Sequence, residues 1–481
     1  MNFTVLTLFP EFIEQGLNTS ILGRAIEKGL LTADVINIRN FSADKNGRVD
    51  DYTYGGGAGM LMQPQPVFDA YKEARSRILS KRFPEGNPAG DESATSGSHN
   101  NNKIRCIYVT PQGEPFTQKK ALELSGEDDL IVLCGHYEGI DERVLEEVVT
   151  DRISIGDYVL TGGELPALVI IDAVARLVPG VLGNETSADI ESFYGDLLEY
   201  PQYTRPEVWN GKRVPEEVLT GDPKKTNAWR LEKQIELTKK VRPDLFEKYL
   251  LRQSTLEKLL KDKRNNIQMI EALRRGTGDI ICTDPLVIYL ECDKLALVGL
   301  GDSISVGELL GIIPGSARSI VCSAGLAEVL CRDERIEKSC DVHNYVYTEK
   351  VHRRVVNKDI RRLGMEYAGY IGEKYALGGP EYGRERLGAG VVYGIFVEGE
   401  IAGFIGTHGE GSIGMLYVDE KYRHRGLAAD LESFMFNRDL EAGRTPYGQI
   451  ILGNEASTAL QEKIGVYGGD KVLSWLNIKN A

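Results

Sequence analysis

Short apolar runs alternate with helical stretches along the first part of the chain. Met1–Pro10 alternates apolar and polar positions and predicts an opening strand, and Ile104–Val109 and Leu130–Leu133 read as buried strands. Helical periodicity falls on Ile21–Lys28, Val67–Ser80, Glu142–Val149 and Ala167–Arg176. This β/α alternation is that of an open parallel sheet. From Lys212 to Met269 the pattern is helical, with Leu231, Ile235, Leu256, Leu259 and Leu260 as the expected apolar stripe. A break at Arg275-Gly276-Thr277-Gly278 opens a different region. There Gly394–Glu398 and Ile401–Thr407 predict a hairpin joined at Gly399-Glu400, followed by strand Ile413–Val418, helix Ala429–Leu440 and strand Gln449–Leu452. Between the helix at Val67–Ser80 and the strand at Ile104, the stretch from Phe83 to Lys103 is rich in Gly, Ser, Asn and Pro. It reads as a disordered surface loop that buries no apolar surface.

Length sets the scale, since 481 residues suffice for two to four domains. The apolar content of 42% and charged content of 27% are ordinary for a globular protein and exclude disorder of the whole chain. Seven cysteines, an odd number without a C-x-x-C pair, point to reduced thiols rather than a disulfide framework or zinc ribbon. The N-terminus has no basic segment or small-residue cleavage site, and no apolar run reaches the roughly eighteen residues of a membrane span. A cytoplasmic protein with no membrane partner is expected. The net charge of −14 argues against nucleic acid until its distribution is read: residues 200–275 hold 18 Lys and Arg against 11 Asp and Glu. A solvated helical face would have a similar composition.

Two glycine-bearing stretches carry the candidate chemistry. Cys134-Gly135-His136-Tyr137-Glu138-Gly139-Ile140-Asp141-Glu142-Arg143 and Ile155-Gly156-Asp157-Tyr158-Val159-Leu160-Thr161-Gly162-Gly163-Glu164-Leu165-Pro166 place glycines where main-chain groups can approach a ligand. A single such loop usually only makes a turn. Together with Tyr54-Gly55-Gly56-Gly57-Ala58-Gly59-Met60-Leu61-Met62-Gln63-Pro64, Tyr108-Val109-Thr110-Pro111-Gln112-Gly113 and Tyr203-Thr204-Arg205-Pro206-Glu207-Val208, they resemble the bacterial tRNA guanine-N1 methyltransferases of the SPOUT class.

The resemblance implies methylation of N1 of guanosine at tRNA position 37 with S-adenosylmethionine, and it raises magnesium (Mg2+) as an accessory ion. The implied fold is α/β, a SPOUT-type parallel sheet with a C-terminal trefoil knot, one of the rare departures from unthreaded chains. The implied assembly is a homodimer whose active sites draw on both subunits, with the tRNA anticodon stem-loop as partner. Cofactor contacts carried over fall on Gly113, Gly135, Tyr137, Glu138, Ile155, Gly156, Tyr158, Leu160, Gly162, Gly163 and Pro166.

Guanine N1 carries a proton at neutral pH, so transfer needs a base for that proton and a cation for the charge developing on O6. The family cation corresponds to Arg176, at the end of the helix before Val178-Pro179-Gly180-Val181-Leu182-Gly183. The family base is an aspartate immediately before Ser-Phe. Here Glu191 precedes Ser192-Phe193 and Asp189 lies two residues earlier, so Glu191 is the expected base and Asp189 its substitute. His136 beside Cys134 lacks zinc-ligand spacing, and no metal ligand is expected. Glycines 55, 56, 57 and 59 are not followed by Lys-Ser/Thr, which excludes a P-loop.

Near the C-terminus, Tyr422-Arg423-His424-Arg425-Gly426-Leu427-Ala428 lies between a strand and a helix. The pattern Arg423-x-x-Gly426-x-Ala428 resembles the acyl-CoA pyrophosphate loop of GNAT acetyltransferases, with Arg425 beside it; physically it is an anion site at a helix N-terminus. Asn454–Val466 resembles the next GNAT element, except that Gln461 stands where many members have a tyrosine acid, and glutamine cannot donate a proton in that role. An active acetyltransferase, an acyl-CoA (acetyl-CoA) sensor and a structural relic all fit. The expected division is 1–183 knotted cofactor-binding domain, 184–200 linker, 201–275 small helical tRNA-binding domain, 276–345 divergent N-terminal lobe, and 346–481 GNAT-like α+β domain.

Overall fold

A computed structural model describes residues 1–56, 59–82, 104–182, 193–299, 301, 304–375 and 379–479. The chain forms two compact units, Met1–Ile190 and Glu191–Ala481.

In the first unit the elements run β1 (Asn2–Thr7), α1 (Pro10–Leu17), α2 (Ser20–Glu27), β2 (Thr32–Asn37), β3 (Asp50–Tyr52), β4 (Met60–Met62), α3 (Pro64–Arg82), β5 (Arg105–Pro115), α4 (Gln118–Ser125), β6 (Asp129–Cys134), α5 (Glu142–Val148), β7 (Asp151–Ser154) and α6 (Glu164–Ala175). β3 and β4 form a separate hairpin, while the main sheet has the order β2-β1-β6-β5-β7 with every pair parallel. A parallel sheet buries both faces, which is why every residue of β1 is buried and β6 is a nearly continuous apolar run. Along β6 the residues alternate between two cores. Leu130, Val132 and Cys134 join Ile13, Leu17, Ile170 and Ile171 on one face, and Ile131 and Leu133 join Val67, Ile78 and Val144 on the other. Burial pushes the Cys134 thiol well above its ordinary pKa, so this cysteine is a small apolar filler rather than a nucleophile. No disulfide joins any of the seven cysteines.

The second unit continues with β8 (Val208–Trp209), β9 (Lys212–Arg213), α7 (Glu216–Leu219), α8 (Pro223–Val241), α9 (Pro243–Leu260), α10 (Ile267–Arg274), β10 (Asp279–Thr283), β11 (Leu286–Leu290), β12 (Leu295–Gly299), α11 (Val306–Ile312), β13 (Ser319–Ser323), α12 (Ala324–Leu330) and β14 (Ile336–Val346). It closes with β15 (Ile360–Arg362), α13 (Ala368–Lys374), α14 (Gly379–Gly388), β16 (Val392–Val397), β17 (Glu400–Thr407), β18 (Ile413–Val418), α15 (Leu427–Glu441), β19 (Tyr447–Ile451), α16 (Glu455–Lys463), β20 (Tyr467–Gly468) and β21 (Leu473–Ile478). The expected helical stripe is corrected: Leu256 and Leu259 are buried, but Leu231 and Leu260 are exposed, and Trp229 and Thr238 take the buried positions of α8. The stripe fails because several helices share the segment, each with its own inward face. The hairpin turn also shifts by one residue: Val397 pairs with Glu400, and Glu398 and Gly399 both adopt positive φ, as a two-residue type I′ turn requires.

One sheet runs through the second unit in the order β10-β11-β12-β13-β21-β14-β19-β18-β17-β16-β15. Outward from the antiparallel central pair β21/β14 it reads alike in both directions. β13 and β19 are antiparallel to the centre, β12 and β18 run parallel to them, and β11 and β17 turn antiparallel again. Each half has the plan strand, strand, helix, strand, helix, and the halves exchange their last strands: β14 follows α12 but pairs with β19, while β21 follows α16 but pairs with β13. Residues 276–345 therefore share one sheet with the strands of 346–481. α9 and α10 pack into it as well, through Leu259, Ile270 and Leu273 against Ile288, Leu297 and Leu473. Among the described residues no helix is long and apolar enough to cross a membrane.

Candidate active site

A cavity of about 420 Å³ opens at the C-terminal ends of β5, β6 and β7. Strand ends are where open parallel sheets present loops to ligands. The loop after β6 supplies Gly135, Tyr137 and Glu138, and the loop after β7 supplies Ile155, Gly156, Tyr158, Leu160, Gly162 and Gly163, with Pro166 from the first turn of α6. Tyr108, Thr110 and Gln112, from the motif Tyr108–Gly113 within β5, and His136, from the motif Cys134–Arg143 after β6, also line it, although none of the four was expected as a cofactor contact.

Gly113 is not among the lining residues. It lies where β5 loses register with β7 between Val109 and Glu114, and a Cβ there would sit 2.4 Å from the backbone of Arg152 and Ile153. Its part is to let two backbones touch.

The glycine-rich stretches meet through main-chain bonds. Gly163 N donates to Gly135 O at 2.8 Å, and His136 bridges to Gly162. The Met60–Met62 strand joins from the other side, as Glu138 N donates to Met60 O at 3.0 Å and Met62 N to Gly139 O at 3.0 Å. A Cβ on Gly163 would lie 2.8 Å from Cys134 Cα, so this crossing needs glycine. Tyr137 holds a left-handed backbone (φ 59), a strained conformation of the kind kept at ligand sites. Glu164 is buried and accepts from Thr7 Oγ1 at 2.8 Å, which ties the start of α6 to β1. Phe9 packs edge-on against His136, with ring centroids 5.1 Å apart. The buried His136 Nδ1 has no hydrogen-bond partner, so the cavity wall offers a polar atom ready for a ligand. The wall mixes polar and apolar side chains in similar measure and so suits a ligand of both characters.

Arg176 caps the C-terminus of α6 and is half-buried. Glu191 and Asp189 lie outside the described residues, as do Gly57 and the stretch 83–103. Among the described residues no group of three or more His, Cys, Asp or Glu side chains could hold a metal ion, and no magnesium ligand is assigned.

Residues 1–248, which include every wall of this cavity, match the family described as tRNA (guanine-1)-methyltransferase TrmD. The chain belongs to that family. A tRNA (guanine-N(1)-)-methyltransferase of Lachnoclostridium phytofermentans is 50% identical over 286 residues, 57% of this chain and 98% of the relative. One from Lachnospira eligens is 54% identical over 254 residues (53% and 98%), and one from Clostridioides difficile 49% over 248 residues (52% and 98%). Residues 392–473 match a second family, described as FR47-like protein, in agreement with a GNAT-like domain.

In that second region β18 and β19 pair at a single position, Ile413 with Gly448, whereas the equivalent β12 and β13 pair at three. The strands of the C-terminal half are thus splayed. Met415 in β18 has a left-handed backbone (φ 53), opposite a register shift between Phe404 and Gly406 of β17. α15 opens at Leu427, two residues before the expected Ala429, with Gly426 as its N-cap at φ 83. Arg423, Arg425 and Gly426 are exposed and Ala428 is half-buried. Arg423 is drawn to Val418 O at 3.1 Å and to Glu420 at 3.5 Å, while Arg425 lies over the Tyr422 ring at 5.5 Å. Gln461 is buried.

Proposed function

We propose that this tRNA (guanine-1)-methyltransferase family member transfers a methyl group from S-adenosylmethionine to N1 of guanosine at tRNA position 37. The cavity at the ends of β5, β6 and β7 carries the reading, because ten of the eleven residues carried over as cofactor contacts line it. S-adenosylmethionine supplies an activated methyl group. The chain's own work is orientation by the 135–140 and 155–163 loops, proton removal from N1 by Glu191, and charge stabilisation at O6 by Arg176. The mutual bonding of those loops supports a knotted topology for this unit. A homodimer is supported by Phe12 of α1, Phe9 at its N-cap, and Leu165 and Val169 of α6, apolar side chains that stay exposed on two helices packed against each other. Residues 201–275, with their excess of cations, are read as the helical tRNA-binding segment, and the C-terminal half as an acyl-CoA site at Arg423–Ala428. The setting is the cytoplasm.

Nucleoside mass spectrometry of an unmodified tRNA bearing guanosine at 36 and 37, incubated with protein and S-adenosylmethionine, tests the main reading. 1-Methylguanosine at 37 is expected; cofactor binding without product would overturn it.

A further inference from the structure

We propose that the second unit carries an RNA-docking track along α15, extending beyond the helical segment 201–275, that engages the tRNA substrate. The segment Lys350–Arg362 holds six Lys and Arg against one acidic residue, Asp359, in a chain whose net charge is −14. It is pinned alongside α15. Arg353 N donates to Asn437 Oδ1 at 2.7 Å and Asn437 Nδ2 returns a bond to Arg353 O at 2.8 Å, while Val356 N and Asn357 N donate to the Asp430 carboxylate at 2.8 and 3.0 Å. Seven helical residues from 437 to 430 span about 10 Å. Three to four extended residues cover the same distance. The segment is therefore extended and runs toward the N-terminus of α15, where Arg425 waits.

Extension sorts the side chains. From 352 to 359 exposure alternates residue by residue: His352, Arg354, Val356 and Lys358 are exposed, and Arg353, Val355, Asn357 and Asp359 are half-buried. Outward residues are then roughly 6.5 Å apart, and the outward cations Arg354 and Lys358, four residues apart, are separated by roughly 13 Å, a spacing suited to alternate phosphates on a nucleic-acid strand. Lys350, Arg354 and Lys358 form no hydrogen bond or ion pair among the described residues, unlike Arg361, which is held by Asp359 at 2.6 Å. Acidic side chains border the segment at Glu349 and at Glu441, which lies 3.8 Å from His352, and the outward positions 354 and 358 are left to cations.

The other end of the track reaches the helical segment, where Asn344 Nδ2 near the end of β14, six residues before Lys350, donates to Arg264 O at 3.3 Å and Asn265 O at 3.0 Å. Burial holds the Lys263 ammonium below its ordinary range, and the cations of Arg274 and Lys350 push the same way against Glu271. Glu271 is already held by Arg274 at 3.3 Å, which leaves the ammonium groups of Lys263 and Lys350 for a polyanion to neutralise. The row from Lys263 through Lys350, Arg354 and Lys358 to Arg425 joins the segment expected to hold tRNA with the loop expected to hold a pyrophosphate.

The test is tRNA binding by the full chain, followed by fluorescence anisotropy across a salt series. Arg354→Glu/Lys358→Glu should weaken binding at least tenfold at about 100 mM salt and flatten the slope of log K against log salt by more than one unit, since each lost phosphate contact removes about 0.7 to 0.9. The KM for tRNA in methyl transfer should rise in parallel. A charge-matched control off the track, Arg318→Glu/Arg332→Glu, should shift affinity by less than threefold; an equal loss there would reduce the effect to bulk charge and overturn the track. Arg354→Gln/Lys358→Gln gives the same reading if the charge-reversed chain folds poorly. Unchanged tRNA affinity with weakened acetyl-CoA binding would instead make this a nucleotide-phosphate site and also refute the proposal.

Discussion

Gln461 Nε2 donates to Glu432 Oε1 at 2.9 Å, and both side chains are buried between α15 and α16. The residue standing where many GNAT proteins carry a tyrosine acid is thus engaged with a buried carboxyl group. Any acyl transfer by this domain proceeds without an acid at position 461. Tyr467 is no ready substitute, since it sits on β20 with Arg264 over its ring at 5.7 Å.

Burial raises the Glu432 carboxyl to about 7, with the Gln461 bond opposing. A carboxyl whose pKa is raised in the folded state leaves stability untouched below its unfolded value and costs progressively more as pH climbs to the folded value. Glu432→Gln keeps the acceptor for Gln461 and removes the charge. It should therefore stabilise the second unit by up to about 3 kcal/mol at pH 8, and by almost nothing near pH 4.5. Thermal melts of both chains across that range check it; a gain independent of pH would point to packing.

Gly163→Ala should cripple the first site. Its Cβ would sit 2.8 Å from Cys134 Cα and 3.0 Å from Gly135 N, and backbone cannot yield as a side-chain tip can. Overpacking of this kind costs about 1–3 kcal/mol. The loops should part and S-adenosylmethionine affinity fall at least tenfold by calorimetry. Affinity within a factor of two would show that the crossing of the loops does not shape the cavity.

The parallel sheet and its cavity were legible because β5 and β6 are buried on both faces and end in glycine motifs. Contacts within one loop cluster could be read as a motif. What the sequence hid were relations between distant strands. The exchange of β14 and β21 leaves no local pattern, and neither does the buried amide chain in which Trp475 Nε1 donates to Gln449, Gln449 to Asn344, and Asn344 to Gln268 at 2.8, 3.0 and 2.7 Å. Leu231 and Leu260 misled for the same reason, since helical period shows that a face exists and not which neighbour covers it.

Arg176→Ala should lower methyl transfer by about a hundredfold or more, the usual scale for removing a donor that meets developing charge. Arg176 caps α6 through its backbone, whose N–H donates to Asp172 O at 3.1 Å, so the side chain can be truncated without breaking the helix end. Single-turnover assays and melting curves together decide: wild-type rates would remove Arg176 from the chemistry, and a collapsed melt would make it structural.

Glu191 and Asp189 can be separated by the same assay. Glu191→Ala should cost about a hundredfold or more as loss of a general base, and Asp189→Ala should leave the rate within a factor of a few. The reverse pattern would move the base to Asp189. Glu191→Asp restores the family residue but retracts the carboxylate by roughly 1 Å, so a rate at or above wild type would indicate that this stretch adjusts its reach.

Gly426→Glu probes the second site. No atom lies within 4 Å of a Cβ at this position, so the substitution creates no collision, although φ 83 strains any side chain there. Its main effect is charge: a carboxylate at the mouth of the first turn of α15 would meet the same N–H groups that a pyrophosphate needs. Acetyl-CoA affinity should fall at least tenfold by calorimetry, while Gly426→Ala, equally strained but uncharged, should lose only part of that. Equal losses would assign the effect to backbone strain, and unchanged binding in both would place the acyl-CoA away from this loop.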